Sequence, residues 1–132
     1  MILGSGNDIL DVRRIKRILN KYDEKFKKRC FTEIEIEKSK KRINKYNSYA
    51  KRYAAKEACA KALGTGLSKG VFWKDISVQN NKLGKPLIKL SGNALKRLKK
   101  LSNTKCSIEV SLSDEKNYAI ATVIIFENNE VH

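Results

Sequence analysis

The amino-acid sequence predicts an α+β fold in a single compact domain over residues 1–132, with an antiparallel sheet packed on a long central helix. Apolar residues recur at helical spacing in residues 12–22 and 50–66. Near the carboxyl end, apolar and polar residues alternate in residues 108–112, and residues 118–126 form a nearly continuous apolar run, which is typical of strands. Helices followed by strands favour the α+β class, and 41% hydrophobic content suffices for one core.

The net charge of the chain is +15, from 29 Lys and Arg against 14 Asp and Glu. This field attracts anions and favours an acidic or phosphorylated partner. A basic module that binds nucleic acid is therefore an alternative, but Lys outnumbers Arg by 22 to 7 and base readout relies mainly on Arg. Because zinc-finger spacing, aromatic RNA-binding patterns and an arginine-rich recognition helix are all missing from the sequence, we expect no nucleic-acid partner.

The cysteines indicate a reduced, cytoplasmic protein. Cys30, Cys59 and Cys106 are an odd number of residues without CxxC spacing. The first ten residues lack the pattern of a signal peptide, and the longest apolar-dominated run, residues 119–126, is too short to span a bilayer. We expect neither export nor a membrane partner.

The amino terminus predicts a strand over residues 1–10 that contains Gly4, Gly6 and Asp8. Glycine within a strand often marks a bulge or the close approach of another backbone or of a ligand. Asp8 is therefore either a carboxylate that faces a site or an acid that serves a turn at the end of the strand.

A basic amphipathic helix is predicted over residues 12–22, with Asp11 as its N-cap. Its polar face, rich in Arg and Lys, is either simply solvated or suited to docking an acidic helix. A further helix is predicted to begin at Thr32, because Thr32 and Glu35 have the spacing of a capping box.

The central helix carries small apolar residues that predict one packing stripe: Ala55, Ala58, Cys59 and Ala62. We expect this helix to end at Gly64. The Gly64-Thr65-Gly66 segment then follows the negative end of a helix dipole, so a Walker-type nucleotide-binding loop is disfavoured.

Glu57 and Lys61 lie four residues apart on the central helix, with Tyr53 one turn earlier in the same row. On these residues alone, the pair is either an ordinary solvated ion pair or part of a functional site. Lys56 points about a quarter-turn away, and we expect it to contribute less than Lys61 to the activity of such a site.

The remaining chain predicts a hairpin, a helix and a strand pair. Residues 75–79 and 87–90 resemble strands joined by the turn NNKLGKP. Ser91 can cap a short helix that runs through Leu101. The last two strands are separated by a predicted turn at residues 113–117.

Four motifs occur in the order of a known family. Gly6 to Asp8, RYAAKEACAKALGTG at residues 52–66, the NNKLGKP turn and SLSDEKNYAIATVI at residues 111–124 resemble the holo-[acyl-carrier-protein] synthases, the short 4'-phosphopantetheinyl transferases of bacteria. The resemblance spans nearly the whole chain, and the KExxxK block followed by ALGTG is its most specific part. It implies the 4'-phosphopantetheinyl transferase fold.

The resemblance implies transfer of 4'-phosphopantetheine from coenzyme A to a serine of apo acyl carrier protein, with release of adenosine 3',5'-bisphosphate, in support of fatty acid biosynthesis. Asp8 and Glu57 match the metal ligands of the family, and Mg²⁺ is the expected ion. Glu57 would also accept the serine proton, directly or through water, and Lys61 would neutralise the departing phosphate.

Coenzyme contacts are implied in two groups. The contacts to the phosphates are Arg52, Lys61 and the backbone of Gly64, Thr65 and Gly66. The contacts to the adenosine lie in the turn that contains Asn81, Gly84, Lys85 and Pro86, with Lys85 at the 3'-phosphate. Asp114 stands where many relatives have His, and we expect it to cap the turn, with a metal-binding or water-binding role as the alternative.

Short members of the family resemble homotrimers in which coenzyme A lies between neighbouring subunits, and the length of this chain fits that arrangement. The basic helix would then meet the acidic recognition helix of the acyl carrier protein. Arg14 and Lys21 are the expected leading contacts.

Overall fold

The computed structural model describes residues 1–67 and 70–128, and its α+β architecture confirms the predicted fold class. The elements are β1 (Ile2–Asp11), α1 (Val12–Cys30), α2 (Glu33–Lys40), α3 (Lys45–Leu63), β2 (Ile76–Asn80), β3 (Pro86–Leu90), α4 (Gly92–Leu101), β4 (Cys106–Glu115) and β5 (Tyr118–Glu127). A single 3₁₀ turn, Trp73–Asp75, precedes β2. Within the described residues, no helix is long and apolar enough to cross a membrane.

A three-stranded antiparallel sheet, with the order β1-β5-β4, packs one face against α3. The central strand β5 pairs Ala121 with Asp8 of β1 and with Leu112 of β4. Its inward residues are fully buried: Ala119, Ala121, Val123 and Ile125. The β2 and β3 strands form a separate two-stranded sheet, which confirms the predicted hairpin.

The strand β1 approaches α3 more closely than side chains would allow. A Cβ atom on Gly4 would lie 2.0 Å from the carbonyl oxygen of Ala62, and one on Gly6 would lie 2.1 Å from that of Ala58. Both distances are far inside van der Waals contact with rigid helix backbone, so only glycine fits at these positions. The prediction that these glycines mark a close approach is confirmed.

The helix α3 is buried on almost every side, so the prediction of a single buried stripe is wrong. The predicted stripe residues are buried, but so are Arg52, Ala54, Lys56 and Ala60. The reason is that α3 packs against the three-stranded sheet, α1, α2 and β2 at once. The helix ends at Gly64 as predicted, with a left-handed φ of 81° that glycine adopts without strain.

A buried ion pair joins α2 to α3. Glu35 Oε1 lies 2.7 Å from Lys56 Nζ, and both side chains are completely inaccessible to solvent. Glu35 also accepts hydrogen bonds from the backbone N–H groups of Thr32, at 2.8 Å, and Val78, at 3.1 Å. The bond from Thr32 completes the predicted capping box.

Lys56 donates two further hydrogen bonds, to the carbonyl oxygens of Trp73 and Ile76. Its charge is therefore fully partnered inside the core, which is the condition under which a buried ammonium is tolerated. Lys56 therefore connects α3 to α2 and to the segment that leads into β2, a structural role that its position in the sequence does not indicate.

The first helix begins where the sequence predicts. Asp11 Oδ1 accepts a hydrogen bond from the backbone N–H of Arg13 at 2.9 Å and so caps α1. The helix is longer than predicted and continues to Cys30, with a kink at Asp23, where φ is 30°. At the other end of the chain, Ser91 occupies the N-cap position of α4, but its side chain makes no capping hydrogen bond.

The turn predicted at residues 113–117 is too long. Ser113, Asp114 and Glu115 belong to β4 and pair with β5, which leaves only Lys116 and Asn117 in the turn. Lys116 has a φ of 52°, in the left-handed region used by tight hairpins. Polar residues at the exposed end of a strand have the composition of a turn, which explains the error.

We predict that Lys56→Ala lowers the free energy of unfolding by about 3–5 kcal/mol, because it leaves the Glu35 carboxylate buried without its cation. Lys40→Ala is the control, since Lys40 forms an exposed pair with Glu37 at 2.7 Å and should change stability by less than about 1 kcal/mol. Urea denaturation of both variants checks this, and equal losses of stability would contradict it.

Candidate active site

Asp8, Glu57 and Lys61 come together where β1 crosses α3. Lys61 Nζ lies 3.2 Å from Asp8 Oδ1 and donates a hydrogen bond to the carbonyl oxygen of Asn7 at 2.9 Å. Lys61 therefore pairs with Asp8 rather than forming the ordinary i,i+4 pair with Glu57. Asp8 lies inside β1, opposite Ala121, so it does not serve a turn at the strand end.

Glu57 is half buried and lies near a second carboxylate, that of Asp8. Burial is the main cause of its raised pKa, and the nearby carboxylate of Asp8 raises it further. The cations of Lys61 and Arg14 act in the opposite direction. Two carboxylates from different elements thus lie close together, flanked by two cations.

This pair of carboxylates fits a hard divalent cation. Mg²⁺ is bound in proteins through one or two carboxylates and keeps several waters or phosphate oxygens as its other ligands. Among residues 1–67 and 70–128, no group of three or more His, Cys, Asp or Glu side chains is placed to hold a metal. Asp8 and Glu57 therefore suit an ion shared with a phosphorylated substrate better than a site made wholly of protein ligands.

An aromatic cluster stands beside Glu57. The rings of Tyr53 and Trp73 stack with centroids 4.4 Å apart, and Phe26 stacks on the other side of Tyr53 at 5.9 Å. Burial, followed by the charge of Glu57, raises the pKa of Tyr53 to about 12, so the phenol stays protonated. The sequence places Tyr53 beside Glu57, because the two residues lie one helical turn apart in the same row. No sequence pattern places Trp73 there.

A second region, a cavity of about 680 Å³, lies between α3, the β2–β3 hairpin and β4. Three of the predicted coenzyme residues line it: Arg52, Gly84 and Pro86. Several other lining residues with polar side chains were not predicted from the sequence: Arg42, Asn47, Lys51 and Asn80. Only the fold brings these residues together, so no local pattern could have identified them.

Arg52 is buried, yet none of the carboxylates in residues 1–67 and 70–128 forms a hydrogen bond with it. It donates to Ser48 Oγ at 2.7 Å and to Asn80 Oδ1 at 3.1 Å, and its Nε is buried without an acceptor. Burial lowers its pKa. Arg52 therefore presents an incompletely neutralised guanidinium at the cavity, as an anion site requires.

Asp114 lines the same cavity from β4 instead of capping a turn. Its Oδ2 accepts a hydrogen bond from Asn47 Nδ2 at 3.1 Å and lies 3.9 Å from Lys51 Nζ. The predicted turn role is therefore wrong, because the residue belongs to a paired strand. Among the described residues that line this cavity, Asp114 is the one with a carboxylate.

The hairpin turn is shaped largely by its own asparagine. Asn81 Oδ1 accepts hydrogen bonds from the N–H groups of Leu83 and Lys85, both at 2.9 Å. Gly84 has a φ of 87°, and Lys85 Nζ pairs with Glu109 at 3.1 Å. Asn81 thus fixes the turn, while the exposed pair leaves Lys85 available to another anion.

The backbone of the Gly64-Thr65-Gly66 segment is already used. The N–H of Gly64 donates to Lys61 O at 3.0 Å, and those of Thr65 and Gly66 donate to Ala60 O at 3.3 and 3.1 Å. These bonds cap the last turn of α3. A phosphate can therefore not take these three donors without opening the helix end.

The predicted site residues fall in separate places within one chain. Arg52 and Lys61 are nine residues apart on α3, which places them about 13.5 Å apart along the helix axis and half a turn around it. Lys61 faces β1, whereas Arg52 contacts Asn80 of β2. Both Arg14 and Lys21 are exposed on α1, and Arg14 lies close enough to Glu57 for its charge to lower the pKa of that carboxyl.

The sequence and the fold match one family. Residues 4–123 match the model of the 4'-phosphopantetheinyl transferase superfamily. The chain is 50% identical over 127 residues to a holo-[acyl-carrier-protein] synthase of Sinorhizobium fredii, covering 95% of this chain and 91% of the relative.

Two solved structures have the same fold. A holo-[acyl-carrier-protein] synthase of Neisseria meningitidis gives a TM-score of 0.84 at 35% identity, covering 96% of this chain and all (100%) of the other. The Helicobacter pylori enzyme in complex with coenzyme A gives 0.80 at 31% identity, with 92% and 99% coverage. The match to the family model and these likenesses establish that the chain belongs to the 4'-phosphopantetheinyl transferase superfamily.

Proposed function

We propose that the chain is a holo-[acyl-carrier-protein] synthase. It transfers the 4'-phosphopantetheine group of coenzyme A to a serine of apo acyl carrier protein and releases adenosine 3',5'-bisphosphate. The observation that carries the proposal is the convergence of Asp8 from β1 with Glu57 and Lys61 from α3. The relatives carry this name, and the Helicobacter pylori structure contains coenzyme A.

Asp8 and Glu57 would hold a Mg²⁺ ion. Bound there, the ion supplies positive charge to the pyrophosphate of the coenzyme. Glu57, half buried beside Asp8, would accept the proton of the attacking serine hydroxyl, directly or through water. Lys61 is half exposed, and its ammonium can turn from Asp8 to the departing phosphate.

Coenzyme A would be shared between two subunits of a homotrimer. The half-turn between Arg52 and Lys61 on α3 supports this, because one chain cannot offer both to a single phosphate group. Arg52 and the turn that contains Lys85 and Pro86 then come from one subunit, and the Asp8 cluster comes from its neighbour. Each subunit contributes both halves, to two different sites.

The outer face of the three-stranded sheet suits such an assembly. No element of the described chain covers this face, and its central strand presents a partly accessible apolar row: Tyr118, Ile120, Ile124 and Phe126. Ile9, 64% exposed on the neighbouring strand, faces the same way as Ile120, its partner in the register. An apolar sheet face of this kind is typical of a surface buried between subunits.

The acyl carrier protein would dock on α1. Arg14 and Lys21 are exposed there, and Arg14 lies near Glu57, so a carrier bound to Arg14 brings its serine towards the carboxylates. The net charge of +15 speeds encounters with an acidic carrier. We place the reaction in the cytoplasm, in support of fatty acid biosynthesis.

The first test measures the transfer itself. Mass spectrometry should detect phosphopantetheine added to apo carrier when the protein, coenzyme A and Mg²⁺ are mixed. Glu57→Gln should reduce kcat by about 100-fold or more, because it removes both a metal ligand and the base. Glu37→Gln is the control, since Glu37 is exposed on α2 in a surface pair. Equal rates for the two variants would contradict the assignment.

The second test concerns the carrier. Arg14→Glu should raise the KM for the carrier about tenfold at low salt and leave the KM for coenzyme A unchanged, because it places a like charge opposite the acidic helix. The effect should shrink as salt screens the charges. Lys28→Glu, the same charge change on the exposed far part of α1, should have little effect. An unchanged carrier KM at low salt would remove Arg14 from the docking face.

The third test asks whether two chains share each site. Glu57→Gln and Arg52→Gln should each be nearly inactive alone, while co-expression of the two variants should restore activity at about a quarter of the sites of a randomly mixed trimer. Circular dichroism checks that each variant folds. If the mixture is no more active than the separate variants, each site is built within a single chain.

A further inference from the structure

A cavity of about 390 Å³ lies between the end of α3 and the helix α4, outside the carboxylate cluster. Its lining includes Thr65 and Val71 from the loop after α3 and Asn93, Lys96, Arg97 and Lys100 from α4. Three of these side chains are cations, and the described lining includes no carboxylate. We call this the α4 cavity.

The cations of the α4 cavity are not neutralised by the protein. In the described part of the chain, no ion pair involves Lys96, Arg97 or Lys100. Lys96 and Lys100 are four residues apart, so their like charges destabilise the helix by a few tenths of a kcal/mol. An anion between them would remove this repulsion.

Arg97 is held in place by the end of α3. Its Nε donates a hydrogen bond to the carbonyl oxygen of Leu63 at 2.8 Å, which neutralises part of the negative end of the α3 dipole. One terminal nitrogen of its guanidinium lies 3.2 Å from the position that a Cβ atom on Gly64 would occupy. The guanidinium is therefore fixed against the loop while its remaining N–H groups stay available.

The loop itself has little to offer an anion. The N–H groups of Gly64, Thr65 and Gly66 all donate to the last carbonyls of α3, so side chains must supply the donors at this end of the helix. The described cations that line the cavity beside Gly64 and Thr65 all come from α4. A phosphate next to this loop is thus expected to be bound by α4 and not by the loop backbone.

We propose that the α4 cavity is a phosphate-binding subsite, in which Lys96, Arg97 and Lys100 hold a phosphate group of coenzyme A. The inference rests on the proposed function and deepens it, because it transfers part of coenzyme binding from the Gly64-Thr65-Gly66 backbone to a helix outside the four motifs. Arg97 supplies a preoriented planar donor group, and the two lysines supply mobile point charges.

The test is calorimetric titration of the full-length protein with coenzyme A, without carrier, so that turnover plays no part. The double variant Lys96→Gln and Lys100→Gln should raise the Kd about tenfold, because two charge-assisted contacts are lost. The control is Lys99→Gln with Lys105→Gln, which removes the same charge from a different cavity. Its Kd should change less than about twofold, since exposed distant charges are screened.

Further ligands separate the possible sources of the effect. Pantetheine, which has no phosphate, should bind equally to both double variants. Inorganic phosphate as the ligand should show the same difference between variants as coenzyme A, because the group recognised is the phosphate. If the two double variants weaken coenzyme A equally, or neither does, the α4 cavity is not a subsite.

Two other outcomes are also informative. A rise in the KM for the carrier without a change in the Kd for coenzyme A would show that α4 meets the acidic partner, which overturns the inference. Failure of the wild-type protein to bind coenzyme A at all would overturn the proposed function first, and with it the subsite. All four lysines changed are exposed, so these variants should keep the fold.

Discussion

Lys56 places a positive charge inside the core, and Glu35 is the group that neutralises it there. Because a buried charge without its partner costs several kcal/mol, α3 is held in the rotation that brings the two together. Glu57 is the next residue along the chain, so its direction towards β1 follows from the same constraint. The carbonyl oxygens of Trp73 and Ile76 complete the arrangement and fix the segment that stacks on Tyr53.

The second constraint is the contact of β1 with α3. Without side chains at Gly4 and Gly6, the strand lies directly on the helix carbonyls. Asp8 lies on the same inward face of the strand, which explains why it pairs with Lys61 and raises the pKa of Glu57. The carboxylate pair is thus a product of two packing requirements, one polar and one steric, and neither involves a ligand.

Local signals predicted much of this from sequence. Capping at Asp11 and Thr32, the end of α3 at Gly64 and the hairpin turn each depend on residues within a few positions of one another. The features that no local signal indicated have the opposite origin. Lys56 is fully buried only because Glu35, Trp73 and Ile76 approach from elsewhere, and Asp114 is a strand residue only because β5 pairs with it. Whether the backbone N–H groups of Gly64, Thr65 and Gly66 are available to a ligand likewise depends on the hydrogen bonds that end α3.

Arg52 and Lys61 project from opposite sides of one helix. A small rotation of α3 about its axis would displace them in opposite directions. The positions of both side chains therefore depend on the orientation of one helix. Core substitutions that turn the helix would thus disturb the contacts of Arg52 and of Lys61 together, and mutations that compensate for such damage would have to restore the angle of α3 rather than repair either set of contacts alone.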